Sequence, residues 1–134
     1  MPKPPRILIL EDSVLVAMEL EAAVIDRGYL AITAGSLAAA SRRLAEAPCA
    51  AALLDVMLPD GTSFELARGL LDRGCPVAIL SGTDDDAFPQ GLAFAKHFRK
   101  PVDTDRVMRW IAGQIESQPA NEAPGLRGPA PREP

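Results

Sequence analysis

Five polar residues of this 134-residue chain stand where strand-like runs stop, three of those runs being apolar. Glu11 and Asp12 follow Ile7-Leu8-Ile9-Leu10, Asp55 follows Ala52-Leu53-Leu54, Ser81 follows Ala78-Ile79-Leu80, and Lys100 follows His97-Phe98-Arg99. Carboxylates, a hydroxyl and an amine are the parts of a phosphoryl-transfer site, where catalysis is mainly positioning and charge stabilisation. Asp55 is the candidate nucleophile, because carboxylates that form aspartyl-phosphates are an established chemical type. If the first and third strands are neighbours, Glu11, Asp12 and Asp55 lie within about 5 Å of one another, and each like-charged pair costs about 3 kcal/mol at an effective dielectric near 20. Lys100 alone cannot neutralise three carboxylates. A bound cation can, and an all-oxygen donor set without a Cys or His cluster selects Mg²⁺ over Zn²⁺.

These residues meet only if the strands that carry them are parallel neighbours. Short apolar runs at 7–10, 30–34, 50–55 and 76–81, the first without any alternation, and a shorter strand at 97–99 alternate with segments of helical period, which predicts a doubly wound α/β fold with a five-stranded parallel sheet. The binding crevice of such a sheet lies beyond the carboxyl ends of its strands. Ser13 is placed as the cap of a first helix with Val14, Met18, Ala22 and Ile25 on one face and Gly28 as its stop. Ser36 opens a second helix with Leu37, Ala40 and Leu44 inward, and Pro48 ends it. A turn at Pro59-Asp60-Gly61 leads to a capping box of Thr62 and Glu65, then to a third helix with Phe64, Ala67 and Leu71 inward. Asp103 caps the last helix, whose buried stripe is Val107, Trp110, Ile111 and Ile115; Trp110 is read as core. The segment 84–94 is too rich in acids, Pro and Gly for a long regular helix, and Asp84-Asp85-Asp86 reads as a solvated helix start rather than a second metal site.

Residues 117–134 carry five prolines, two glycines and no aromatic side chain, which predicts a disordered tail behind one domain over residues 1–116. A net charge of −4 with no basic run disfavours nucleic-acid binding. No apolar run approaches the roughly 20 residues that span a bilayer, and no signal-peptide pattern is present, so the reading is cytoplasmic with no membrane association. Cys49 and Cys75, each beside a proline near the start of a strand, are read as reduced thiols without a metal or redox role.

The acidic pair in ILILEDS, the segment LLDVMLPDG, Ser81-Gly82 and Lys100-Pro101, in this order, resemble the response-regulator receiver domains of two-component systems over about residues 6 to 116. The resemblance implies the flavodoxin-like strand order 2-1-3-4-5, with Asp12, Asp55 and the backbone carbonyl of Met57 on Mg²⁺ and Glu11 assisting. It further implies that Ser81 and Lys100 hold the phosphoryl group, that the Lys100-Pro101 bond is cis, and that the donor is a phosphohistidine on a sensor histidine kinase or histidine phosphotransfer protein. Ser81, Thr83, His97 and Pro101 would form the switch region. Such a protein is no enzyme beyond catalysing its own phosphorylation and dephosphorylation. It would be a stand-alone regulator or phosphorelay intermediate acting on an unidentified downstream protein; whether it forms a homodimer is open.

The chain departs from the family at two places. His97 stands where many receivers carry the aromatic switch residue, which resembles small stress-response receivers lacking that switch and leaves His97 a partly exposed edge-strand histidine or a partner or pH contact. The span from Ser81 to Lys100 is a few residues short, so the output surface is remodelled. Met57 is apolar and cannot orient an attacking water, so self-dephosphorylation is predicted not to be fast. A phosphorylation-independent pseudo-receiver module is the main alternative. A haloacid-dehalogenase-like phosphatase would need an acid where Met57 stands, and no Gly-rich nucleotide fingerprint follows any strand.

Overall fold

The computed structural model describes residues 3–82 and 95–117; Thr83, the segment 84–94 and the tail from residue 118 onward lie outside the described residues. Five strands, β1 (Arg6–Leu10), β2 (Leu30–Ala34), β3 (Ala51–Asp55), β6 (Val77–Ser81) and β7 (Lys96–Arg99), form a parallel sheet in the order β2-β1-β3-β6-β7, as the sequence predicts. Two further strands, β4 (Met57–Leu58) and β5 (Gly61–Thr62), make a small antiparallel ladder after β3. The central strands β3 and β6 are buried at all five positions, which explains their lack of alternation: both faces are covered by helices.

Helices α1 (Val14–Asp26) and α4 (Thr104–Glu116) pack on one face, and α2 (Leu37–Glu46) and α3 (Phe64–Asp72) on the other. Val107, Met108 and Ile111 of α4 meet Leu20 and Val24 of α1 over Ile7, Ile9, Leu53 and Leu80. Trp110 belongs to this layer, with its ring 6.3 Å from that of Phe98 in an edge-to-face contact. Ser13 and Ser36 cap α1 and α2 by accepting from the amides of Val16 and Ala39, and Asp103 caps α4 by accepting from Asp105 and Arg106. Gly28, at φ +87°, turns the chain after α1 in a conformation that a side chain would strain.

Two local expectations fail. The α1 face holding Val14, Met18, Ala22 and Ile25 is not the core face: Val14, Met18 and Ile25 are exposed, Val14 at 70%, and the buried residues are Leu20 and Val24. VLVAMELEAAVID carries apolar residues nearly all round, so the period alone cannot say which side meets the sheet. The Thr62–Glu65 capping box is also absent. Thr62 is spent in the β4–β5 ladder, opposite Met57, and Ser63 becomes the cap residue of α3 without a side-chain cap bond. Its hydroxyl is fully buried instead.

Candidate functional site

Parallel register brings the predicted residues together at the carboxyl edge of the sheet. Leu10 pairs with Leu54 across β1 and β3, so Glu11 and Asp12 emerge beside Asp55. Asp55 pairs with Leu80 across β3 and β6, so Ser81 follows one step beyond, and Ser81 in turn pairs with Arg99, which Lys100 follows. The Lys100 amide donates to the Ser81 carbonyl at 2.7 Å, fixing the end of β7 against the end of β6. The Lys100–Pro101 peptide bond is cis.

Ligand atoms of Glu11, Asp12 and Asp55 lie within 4.8 Å of one another. Glu11 and Asp55 are buried and Asp12 is exposed, so the cluster is open on the Asp12 side. The Lys100 ammonium bridges the two buried acids, with Nζ 3.0 Å from Glu11 Oε1 and 3.3 Å from Asp55 Oδ1. The Ser13 amide donates to Glu11 Oε2 at 3.0 Å, and the Val56 amide to Asp55 Oδ1 at 2.9 Å.

Burial raises the pKa of Asp55, and the Glu11 charge adds to it; Lys100 and the Val56 amide oppose the shift without cancelling it. Burial works against the charge of Lys100, but its hydrogen bond to Glu11 and the field of both carboxylates outweigh burial, and its pKa rises. Three acids against one ammonium leave an excess of two negative charges. A hard divalent cation fits this set, because all the donors are oxygens and one of the three acids faces solvent.

Met57, in β4, points its side chain outward at 63% exposure. His97 is exposed on the edge strand β7 opposite Ile79, and Pro101 is exposed beyond it. Of the remaining predicted residues, Thr83 lies outside the described residues.

One residue near the site was read from sequence only as part of a turn. Asp60 caps α2: its Oδ1 accepts from the Leu37 amide at 2.9 Å and its Oδ2 from the Ala38 amide at 3.1 Å. These two bonds hold its pKa below the ordinary value. Gly61, at φ +137°, brings the ladder so close to α2 that an added Cβ would sit 3.2 Å from Leu37 Cδ1. The loop that follows the candidate nucleophile is thereby tied to α2. The partners are separated by 22 and 23 residues, so only the strand order, which places α2 beside the β3–α3 loop, could have pointed to it.

No family model matches the chain, and no curated protein matches it in sequence. Solved structures do. The receiver domain of the Francisella response regulator 1452 superposes with a TM-score of 0.73 at 20% identity, covering 84% of this chain and 97% of that one. A response regulator receiver domain protein (CheY-like) from Methanospirillum hungatei JF-1 gives a TM-score of 0.76 at 21% identity over 84% and 94% of the two chains. A sensor protein from Polaromonas sp. JS666 gives 0.72 at 27% identity over 86% and 98%. The fold is that of the response-regulator receiver domains.

Proposed function

We propose that this domain is a phosphorylation switch that accepts a phosphoryl group on Asp55 from a phosphohistidine of a sensor histidine kinase or histidine phosphotransfer protein. The observation that carries the reading is the bridging of Glu11 and Asp55 by Lys100 inside a three-carboxylate cluster at the ends of parallel strands. An Asp55 oxygen attacks phosphorus, the phosphorus–nitrogen bond to the donor histidine breaks, and the imidazole leaves with the electron pair. Glu11, Asp12, Asp55 and the Met57 carbonyl would hold Mg²⁺, which when bound supplies the positive charge that lets the phosphoryl oxygens approach three acids. Lys100, already in contact with the nucleophile, moves its charge to the new phosphate. The Ser81 hydroxyl, one strand position past the partner of Asp55, donates to a phosphoryl oxygen.

A donor protein also needs a surface to dock on. Val14 and Leu15, 70% and 75% exposed, come two and three residues after Asp12, and Met57 comes two after Asp55. Such side chains contribute more when covered by a partner than when left in water. Incubation with Mg²⁺ and a small phosphodonor, followed by intact mass measurement, tests the transfer. Wild type should gain one phosphate and Asp55→Asn none; wild type that gains nothing would instead be a phosphorylation-independent interaction module. The adduct should persist well beyond seconds, because Met57 offers no group to orient a hydrolytic water.

A further inference from the structure

The strands that deliver Asp55 and Ser81 to one end of the sheet begin, at the other end, beside the two cysteines. Cys49 lies two residues before β3 and Cys75 two residues before β6. Both are free and buried, at 5% and 7% exposure, and their sulfurs are 3.5 Å apart. Pairing of Ala52 with Val77, and donation from the Ala52 amide to the Pro76 carbonyl at 3.0 Å, hold the two segments side by side. A disulfide needs sulfurs about 2.05 Å apart. From 3.5 Å this takes side-chain rotation outside the strands and no separation of the sheet.

The two thiols are chemically unequal. The contact with the Cys75 thiol lowers the pKa of Cys49, and the charges of Arg6 and Arg73 act in the same direction against burial. Cys75 is pushed up by the same thiol contact and by burial, and its S–H also lies 3.5 Å from the Pro76 carbonyl. The Arg6 charge favours the thiolate at Cys49, and the thiolate is the reactive form.

We propose that Cys49 and Cys75 are an oxidisable dithiol that closes into an intramolecular disulfide when a peroxide reaches it. The Cys49 thiolate attacks one peroxide oxygen, the O–O bond breaks, and the departing hydroxide takes a proton to become water. The Cys75 sulfur then attacks the Cys49 sulfenic acid, its S–O bond breaks, and the hydroxyl leaves as a second water with the Cys75 proton. Two thiols lose two electrons, and the peroxide gains them. This site is independent of phosphorylation at Asp55. Its product ties β3 to β6 and closes a loop around α3, restricting the unfolded chain.

The test treats the full chain, first reduced with a phosphine, with hydrogen peroxide under native conditions. The intact mass should fall by two hydrogens, a peptide map should show Cys49 linked to Cys75 in the monomer, and phosphine should reverse both. The melting temperature of the oxidised form should rise by roughly 5 °C or more. Cys49→Ser and Cys75→Ser should show neither the mass loss nor the rise. Wild type that keeps its mass, gains only oxygen, or links only between molecules overturns the proposal, and each of these is read on wild type whether or not the variants fold.

Discussion

The two ends of the sheet use the same strands for opposite purposes. At the carboxyl end, β1, β3 and β6 stop at Glu11, Asp55 and Ser81, all buried and two of them sharing a single ammonium. At the amino end, β3 and β6 start beside Pro48, Pro76 and a pair of thiols that pack into the core. Between the ends, Leu53, Leu54, Ile79 and Leu80 are fully buried. The middle of the sheet therefore holds the fold, while one end carries charge that burial opposes, and the contrast predicts which substitutions cost stability and which relieve it.

Neighbouring positions on β3 should differ in sign. Leu54→Ala removes a side chain with no exposed surface and should cost about 2–5 kcal/mol in urea unfolding. A loss below about 1 kcal/mol would mean that the core relaxes around the cavity and that the middle is not what holds the fold. Next in size is the response of the charged end to a cation. Mg²⁺ at about 100 times its Kd should add about 2.7 kcal/mol to wild type. Asp55→Asn should lose most of this gain, and equal stabilisation of the two proteins would place the cation elsewhere.

Without a divalent cation, Asp55→Asn should be more stable than wild type at neutral pH by on the order of 1 kcal/mol, since it removes a buried charge facing Glu11. The folded-state pKa of Asp55 is raised, so the stability it contributes is fully present below the unfolded value near 3.8 and is lost as pH rises through the folded value. The advantage of the variant should accordingly be absent at low pH and open as pH rises above 3.8. A difference that is constant with pH would remove the electrostatic account of the site.

Legibility in the sequence follows the same contrast. Strands buried on both faces announce themselves as apolar runs, and parallel strands put their carboxyl ends on one edge, so Asp55, Ser81 and Lys100 are placed there by sequence, while the strand order is implied by the resemblance to receiver domains. Three of the helix caps, Ser13, Ser36 and Asp103, are local signals and were readable. What could not be read depends on distance in space. The orientation of α1 failed because VLVAMELEAAVID has no polar stripe to mark the solvent side, whereas in α4 the charged Asp105, Arg106 and Arg109 leave one clear apolar face. The Cys49–Cys75 contact and the capping of α2 by Asp60 join residues more than 20 positions apart, and no periodicity reports such pairs.

Asp60 supplies the smallest effect and the finest test, because it stands five residues from Asp55 and titrates in the opposite direction. Its carboxylate is solvent-exposed and accepts two amides of α2, so its folded-state pKa lies below the unfolded value of about 3.8. The stability it contributes is present above that value and is lost as pH falls through the lower folded one. Asp60→Ala should lower the melting temperature slightly at neutral pH, with the deficit vanishing in acid, while Asp60→Asn, which keeps one acceptor, should lose less. Carboxyl-carbon NMR titration should show Asp60 ionising well before Asp55 as pH rises. If Asp60 ionised with or after Asp55, burial and the Glu11 charge would not be setting the Asp55 carboxyl apart. The loop would then be no more tightly held to α2 than an ordinary surface turn.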